Sequence, residues 1–156
     1  MSDWSCYLLT SLDSTATYIG STNDPQKRLS KHNSGTGAKY TRGKTWIPIL
    51  IISGFHHKNA CLSFEAGWKK LSKNRNQYKL FDISLLDGPL NYTGDNRWKR
   101  IMDLLYFVHN VTLLDTKFRI NYDIRHPINQ PDELTMTIFF EEWITDLPWP
   151  YFINFY

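Results

Sequence analysis

The chain has 156 residues, of which 42% are hydrophobic and 21% charged, and its formal net charge is +3. This length suits one hydrophobic core and is short for two domains of ordinary size. The longest aliphatic run, Ile49–Ile52, falls far below the roughly 20 residues of a membrane helix. The first residues lack the basic and apolar regions of a signal peptide. We therefore expect a soluble intracellular protein without a membrane partner, in the nucleus or the cytoplasm.

Cysteine and histidine are too few and too scattered for a structural zinc site. The chain has two cysteines and five histidines, which do not recur together at zinc-binding spacing. The same count excludes a disulfide framework, so no zinc partner is expected.

Charge is distributed unevenly along the chain. Residues 1–79 contain twelve Lys and Arg against four Asp and Glu, a net charge of +8. Residues 80–156 contain six against eleven, a net charge of −5. A basic first half predicts a polyanionic partner such as nucleic acid. Charges scattered only for solubility are the alternative.

The first elements read as a hairpin followed by a helix. Strand-like residues 4–12 and 15–20 flank a short turn at Asp13-Ser14. Asp24 and Pro25 fit the N-cap and first position of a helix over 25–32, which Asn33, Ser34 and Gly35 terminate.

Further along, one apolar strand and two amphipathic helices are predicted. Residues 46–53 are almost continuously apolar, which favours a strand buried on both faces. Helices are expected over 59–73 and 95–110, and residues 134–140 are strand-like. The apolar stripes of these helices are Cys61, Phe64, Trp68 and Leu71 in the first, and Trp98, Ile101, Met102, Leu105 and Val108 in the second.

Five short motifs resemble one nuclease family. The tyrosines of "CYLL" and "TYIG", Tyr7 and Tyr18, lie eleven residues apart, and "RLSKHN", "GTGAKYTRG" and "FEAGWKKL" follow in that order. Together they resemble the GIY-YIG endonuclease domain, in particular the Slx1-like structure-specific nucleases and the small bacterial single-domain members. The resemblance covers residues 4–73 and implies an α+β fold with a three-stranded antiparallel sheet flanked by helices. Residues 1–111 would form the nuclease domain.

The resemblance also implies a set of catalytic residues. They are Tyr7, Tyr18, Arg28, His32 and Glu65, although Ser5-Cys6 replace the Gly-Ile that precedes the first tyrosine in the family. Glu65 would hold a single Mg²⁺ or Mn²⁺ ion, and a lone carboxylate suits Mg²⁺ because this ion keeps much of its hydration.

Phosphodiester hydrolysis gives each of these residue types a role. Arg28 would contact the non-bridging phosphate oxygens, and the metal would stabilise the leaving group. Tyr7 or Tyr18 would orient the water and take its proton, which requires a phenol pKa lowered from about 10 by nearby cations. His32, one turn from Arg28, could share that role, so the general base stays open.

A group of basic residues around this predicted site would contact DNA phosphates without reading bases. This group suits recognition of branched DNA, such as flaps, replication forks and Holliday junctions, in repair, recombination or replication. The DNA-binding set is Lys27, Lys31, Lys39, Tyr40, Arg42, Lys44, Lys69 and Lys70.

Taken one at a time, the same residues have simpler explanations. Glu65 could be an exposed helix residue paired with Lys69, and a strand tyrosine usually packs in the sheet. A non-catalytic DNA-binding or scaffold module that keeps the fold is the alternative function. Thiol hydrolysis through Cys61 is disfavoured because this residue falls on an apolar helix stripe.

The C-terminal segment, residues 112–156, is acidic and rich in aromatic residues. It either packs on the nuclease domain or mediates a homodimer or partner contact, and it could also cover the basic face as an autoinhibitor. Two cysteines cannot build the RING-type zinc domain of Slx1-like proteins.

Overall fold

The protein is described by a computed structural model that covers residues 4–13, 15–35, 37, 41, 43–55, 57–73, 96–110, 133–140 and 142–156. The elements in these ranges follow in chain order. They are β1 (Ser5–Ser11), β2 (Thr17–Thr22), α1 (Pro25–Ser34), β3 (Trp46–Ser53), α2 (Lys58–Lys73), α3 (Asn96–Asn110), β4 (Leu134–Ile138), a 3₁₀ helix (Glu142–Asp146) and β5 (Ile153–Phe155). The predicted cap at Asp95 lies outside the described residues, as does most of the segment between α3 and β4.

The strands form one mixed sheet in the order β2-β1-β3-β4-β5. The β1–β2, β1–β3 and β3–β4 pairs are antiparallel, whereas β4 and β5 are parallel. The predicted α+β class is confirmed, and the sheet has five strands where three were expected. The two additional strands come from the C-terminal segment, which pairs Ile138 with Leu50 across a long separation in sequence.

Helices α2 and α3 cover one face of the sheet and form the main core. Trp68 and Leu105 are fully buried there, and the Trp68 indole N–H donates to the Arg100 carbonyl at 2.9 Å. The predicted apolar stripes of both helices are confirmed, since every member is buried. Leu134, Met136 and Phe152 join the same core, so the C-terminal strands are integral to it.

The opposite face is covered by α1 alone among the described elements, over a small cluster of Tyr7, Leu9 and Trp46. Asp24 caps this helix by accepting from the Lys27 backbone N–H at 3.1 Å. Gly35 ends it with φ at 80°, a left-handed conformation that favours glycine. The helix therefore begins as predicted and ends two residues beyond the predicted His32.

A groove of about 460 Å³ separates the N-terminal half of α1 from β3. Leu29, Pro48, Ile51 and Phe139 line it together with Tyr7. The prediction that β3 is buried on both faces is therefore wrong for Pro48 and Ile51, which stay half-buried because α1 covers this face only partly. No helix in the described ranges is long and apolar enough to span a membrane.

Candidate active site

The site is centred on Tyr7 of β1, on the sheet face that α1 covers. Tyr7 pairs directly with Gly20 of β2, and its ring lies over that glycine. A Cβ atom at Gly20 would come within 2.6 Å of Tyr7 Cζ and 2.9 Å of Tyr18 Cε2. Only glycine therefore lets both tyrosine rings pack here, which gives the glycine of the second motif a physical reason.

His32 of α1 closes over this pair of tyrosines. Its Nε2 atom lies 3.0 Å from Tyr7 Oη, and its Nδ1 atom lies 2.7 Å from Thr41 Oγ1. The imidazole is fully buried, with its centroid 4.9 Å from that of the Tyr18 ring. Both ring nitrogens thus have a partner inside the protein.

Arg28 lies one turn before His32 and brings a permanent positive charge to the same face. Its guanidinium hydrogen-bonds the Tyr7 hydroxyl, and this bond raises the pKa of Arg28 above its ordinary value. A further bond to Tyr18 acts in the same direction. Arg28 is only partly buried, so its remaining N–H groups can contact a phosphate.

The protonation states differ from the sequence-based expectation. Burial raises the pKa of Tyr7 from 10.0 to about 12, and the Arg28 hydrogen bond offsets only part of this increase. The expected lowering of the phenol pKa by nearby cations is therefore wrong for Tyr7, because desolvation dominates. Burial, and secondly the positive charge of Arg28, lowers the pKa of His32 from 6.5 to about 4. At neutral pH, a neutral imidazole therefore faces a protonated phenol.

Glu65 reaches the site from α2, on the other side of the sheet. Its side chain is 19% exposed, and its Oε2 atom lies 3.4 Å from Lys69 Nζ. Lys69 in turn lies 5.6 Å from the centre of the Tyr18 ring, and the charge of Glu65 contributes to the raised pKa of Tyr7. The Glu65–Lys69 ion pair, which was expected as a simpler explanation for Glu65, is therefore present in α2. It lies beside Tyr7 and Tyr18.

The donors available for a metal ion are sparse. Among the residues that the structure describes, no three His, Cys, Asp or Glu side chains cluster closely enough to hold an ion together. Glu65 is a single, partly exposed carboxylate, a donor that fits a hydrated Mg²⁺ or Mn²⁺ ion and does not fit an ion held by protein ligands alone.

The sequence-predicted site residues fall into two groups in the structure. Tyr7, Tyr18, Arg28 and His32 contact one another, and Glu65 joins them through Lys69. Of the predicted DNA-binding residues, Lys39, Tyr40 and Arg42 lie outside the described residues. The others are exposed or half-buried at the surface: Lys27, Lys31, Lys44, Lys69 and Lys70.

Thr41 and Asn33 are the site residues that sequence reasoning missed. Asn33 donates to the Trp46 carbonyl at 3.0 Å and accepts from the Trp46 N–H at 2.6 Å, which ties α1 to the start of β3. Thr41 bonds His32 through its hydroxyl and accepts the Trp46 indole N–H on its carbonyl at 2.8 Å. Thr41 lies inside the "GAKYTRG" motif. This position in a family motif is the sequence feature that could have identified Thr41 as a site residue.

Comparison with known proteins agrees with this arrangement. Residues 3–79 match the family model of the GIY-YIG catalytic domain, a range that contains the whole tyrosine, arginine, histidine and glutamate set. The chain belongs to the GIY-YIG family. Within the family it is similar to an uncharacterised protein of Acanthamoeba polyphaga mimivirus, with 59% identity over all of this chain and 97% of the relative.

Two other kinds of relative match less than half of the chain. The structure-specific endonuclease subunit slx1 of Schizosaccharomyces pombe is 41% identical over 45% of this chain. A UPF0213 protein of Streptococcus pyogenes is 45% identical over 46% of this chain and 75% of its own length. The GIY-YIG chain described here matches only 28% of the fission yeast subunit's length.

Proposed function

We propose that this GIY-YIG protein is a metal-dependent endonuclease that hydrolyses phosphodiester bonds in branched DNA. One observation carries the proposal: a buried neutral His32 lies 3.0 Å from the Tyr7 hydroxyl, beside the fixed positive charge of Arg28. The family, and its slx1 relative, a structure-specific endonuclease subunit, support the nuclease class.

Proton transfer starts at the Tyr7–His32 pair. With its pKa at about 12, Tyr7 is protonated at neutral pH, so it needs an acceptor before it can act as a base. The attacking water gives its proton to Tyr7 Oη as the Tyr7 proton moves to His32 Nε2. The water oxygen bonds to phosphorus as the bond to the leaving sugar oxygen breaks, and this oxygen takes a proton from solvent.

Positive charge in the site stabilises the reacting phosphate. Arg28 is held by Tyr7 and Tyr18, and its free N–H donors would bind the non-bridging oxygens. Glu65 would hold one Mg²⁺ or Mn²⁺ ion. When bound, this ion supplies charge stabilisation at the leaving oxygen.

Recognition of DNA shape follows from the character of the basic surface. Lys27, Lys31, Lys44 and Lys70 are exposed, and lysine side chains bind phosphates as point charges. Phosphate contacts carry no sequence information, so branch geometry would select the substrate. Flaps, replication forks and Holliday junctions are the proposed substrates, in DNA repair, recombination or replication.

The test compares the wild type with Glu65→Gln on labelled linear duplex, 5′ flap and four-way junction DNA, in Mg²⁺, Mn²⁺ or EDTA. We expect metal-dependent cutting of branched DNA by the wild type and a loss of at least about 100-fold in Glu65→Gln, the size of an electrostatic contribution to the transition state. DNA binding, measured by gel shift, should persist. Glu142→Gln removes an exposed carboxylate of the 3₁₀ helix and serves as the matched control.

Binding without cutting by the wild type in either metal would contradict the proposal. That result would support the alternative of a non-catalytic DNA-binding module. Equal cutting by wild type and Glu65→Gln would contradict the role of Glu65 as the metal ligand and leave the nuclease activity intact.

A further inference from the structure

A buried chain of hydrogen bonds extends behind the Tyr7–His32 pair. Tyr7 Oη meets His32 Nε2 at 3.0 Å, and His32 Nδ1 meets Thr41 Oγ1 at 2.7 Å. The Thr41 carbonyl accepts the indole N–H of Trp46 at 2.8 Å. Tyr7, His32, Thr41 and Trp46 are each at most 4% exposed. The Nδ1–Thr41 hydrogen bond is therefore shielded from bulk solvent.

We propose that Thr41 is a positioning residue that holds His32 in the tautomer protonated on Nδ1, so that Nε2 accepts the Tyr7 proton. The proposal rests on the proposed function in one respect: the direction of this bond matters to catalysis only if Tyr7 passes a proton to His32.

The argument follows from the donors and acceptors of imidazole. A neutral ring has one N–H and one lone pair on the two nitrogens. With the proton on Nδ1, the ring donates to Thr41 Oγ1, and Tyr7 O–H donates to Nε2. With the proton on Nε2, the Thr41 hydroxyl would have to donate to Nδ1, and the ring would join Arg28 as a second donor to Tyr7 Oη, which would leave the Tyr7 proton without an acceptor on His32.

Thr41 also suits the state after proton transfer. Both nitrogens of the imidazolium are donors and need two acceptors. Tyr7 Oη accepts from one, and Thr41 Oγ1 accepts from the other. Thr41 Oγ1 thus accepts the hydrogen bond from Nδ1 both before and after the proton moves from Tyr7 to His32, and no group has to rotate during this transfer.

The surroundings fix Thr41 relative to His32. Trp46, which binds the Thr41 carbonyl, is itself bonded twice to Asn33, the residue after His32. At Gly37, a Cβ atom would lie 3.0 Å from His32 Nδ1 and 3.1 Å from the His32 backbone nitrogen. The glycine therefore lets the chain pass close to the imidazole, with Thr41 in hydrogen-bond range.

Three substitutions at Thr41 separate the hydroxyl from the shape of the side chain. Thr41→Ser keeps the acceptor and should keep kcat within about twofold. Thr41→Val keeps the shape without the acceptor, and Thr41→Ala removes both. We expect Thr41→Val to lower kcat by at least about 10-fold, a fraction of a typical general-base contribution, with the KM for DNA unchanged. Thr45→Val makes the same chemical change at an exposed threonine of the same segment and should change neither constant.

Nitrogen-15 spectra of the free protein test the tautomer directly, because the protonated and unprotonated imidazole nitrogens differ widely in chemical shift. We expect wild type and Thr41→Ser to show His32 protonated on Nδ1, and Thr41→Val to show the proton on Nε2. Thermal melts verify that each variant folds.

Protonation of Nε2 in the wild type would overturn the proposal, as would an unchanged tautomer and full kcat in Thr41→Val. The spectra need no DNA, so they separate this proposal from the previous one. If the wild type cut no DNA, the nuclease function would fail, and the spectra would still decide whether Thr41 sets the tautomer of His32.

Discussion

At Gly20, the missing side chain decides where the Tyr7 ring can lie. The two residues are direct partners across β1 and β2, and the phenol ring occupies the space that a Cβ atom would fill. This placement brings Tyr7 Oη to His32 at 3.0 Å. A methyl group at Gly20 would therefore displace Tyr7 and so disturb the proposed proton transfer to His32. It would not itself contact the phosphate.

We predict that Gly20→Ala lowers kcat by at least about 100-fold, the lower end of a general acid–base contribution. The added Cβ would lie 2.6 Å from Tyr7 Cζ, so the ring must move away from His32. Cleavage assays and circular dichroism at one temperature measure the effect on activity and on fold. Gly43→Ala is the control: its φ of 83° adds a backbone strain that Gly20→Ala does not have, but open space surrounds its Cβ position, so no tyrosine ring is displaced.

The double variant Tyr7→Phe/Gly20→Ala tests the mechanism of that loss. If alanine acts only by displacing Tyr7, the double variant should be no slower than Tyr7→Phe alone. Additive losses would show that Gly20 matters for another reason.

At this scale, the motifs predicted which side chains lie together, whereas the expected lowering of the Tyr7 pKa was wrong. Family motifs located Tyr7, Tyr18, Arg28 and His32, which do contact one another. The pKa of Tyr7 depends on how deeply β1 is buried, and the cations visible in the sequence do not reveal this. Thr41 was missed because no spacing rule connects a loop hydroxyl to an imidazole nine residues earlier.

Among the elements, β4 connects the C-terminal segment to the first half of the chain, because it pairs with β3. Met136 lies at the centre of β4, pairs with Ile52 of β3 and is fully buried under the α2 and α3 layer. Gly54, with φ at 102°, ends β3 where a Cβ atom would lie 2.8 Å from the Glu133 carbonyl oxygen. The C-terminal strands therefore fit tightly against the family domain.

We predict that Met136→Ala lowers the free energy of unfolding by about 2–4 kcal/mol, the usual effect of emptying a buried methionine site. Urea unfolding followed by fluorescence measures the change. Thr137→Ala, half-buried on the opposite face of the same strand, should cost less than about 1 kcal/mol. Equal midpoints for wild type and Met136→Ala would mean that β4 contributes little to the core.

The local elements could be predicted from the sequence, and the remote pairing could not. Proline, aspartate and glycine signals gave the start and approximate end of α1, and apolar runs gave β3 and the stripes of α2 and α3. Residues 134–140 were recognised as strand-like, but their partner lies more than 80 positions away. Periodicity within a segment holds no information about such a partner.

Across the whole molecule, the two faces of the sheet differ in what they bury. The α2 and α3 face holds the large apolar core, whereas the α1 face holds the tyrosines and the buried His32. The buried imidazole of His32 on the α1 face links the stability of the fold to pH, because its proton affinity differs between the folded and the unfolded chain.

We predict that His32 makes the protein less stable as pH falls from about 6.5 to about 4. Burial lowers the pKa of His32 from 6.5 to about 4, so in this window the unfolded chain binds the proton more strongly than the folded protein. Unfolding therefore becomes more favourable as pH falls, and above pH 6.5 the residue adds no pH dependence. Urea unfolding of wild type and His32→Gln from pH 4 to 8 measures the difference. Parallel curves for the two proteins would refute the prediction.

Both cysteines of the chain, Cys6 and Cys61, lie on the core side of the sheet with 0% exposure. Burial raises the pKa of each thiol, to about 11 for Cys61, so neither forms much thiolate at neutral pH. An alkylating reagent therefore reacts with the native protein only while β1 or α2 is transiently separated from the core. The rate at which the unmodified protein takes up such a reagent reports how often this core opens.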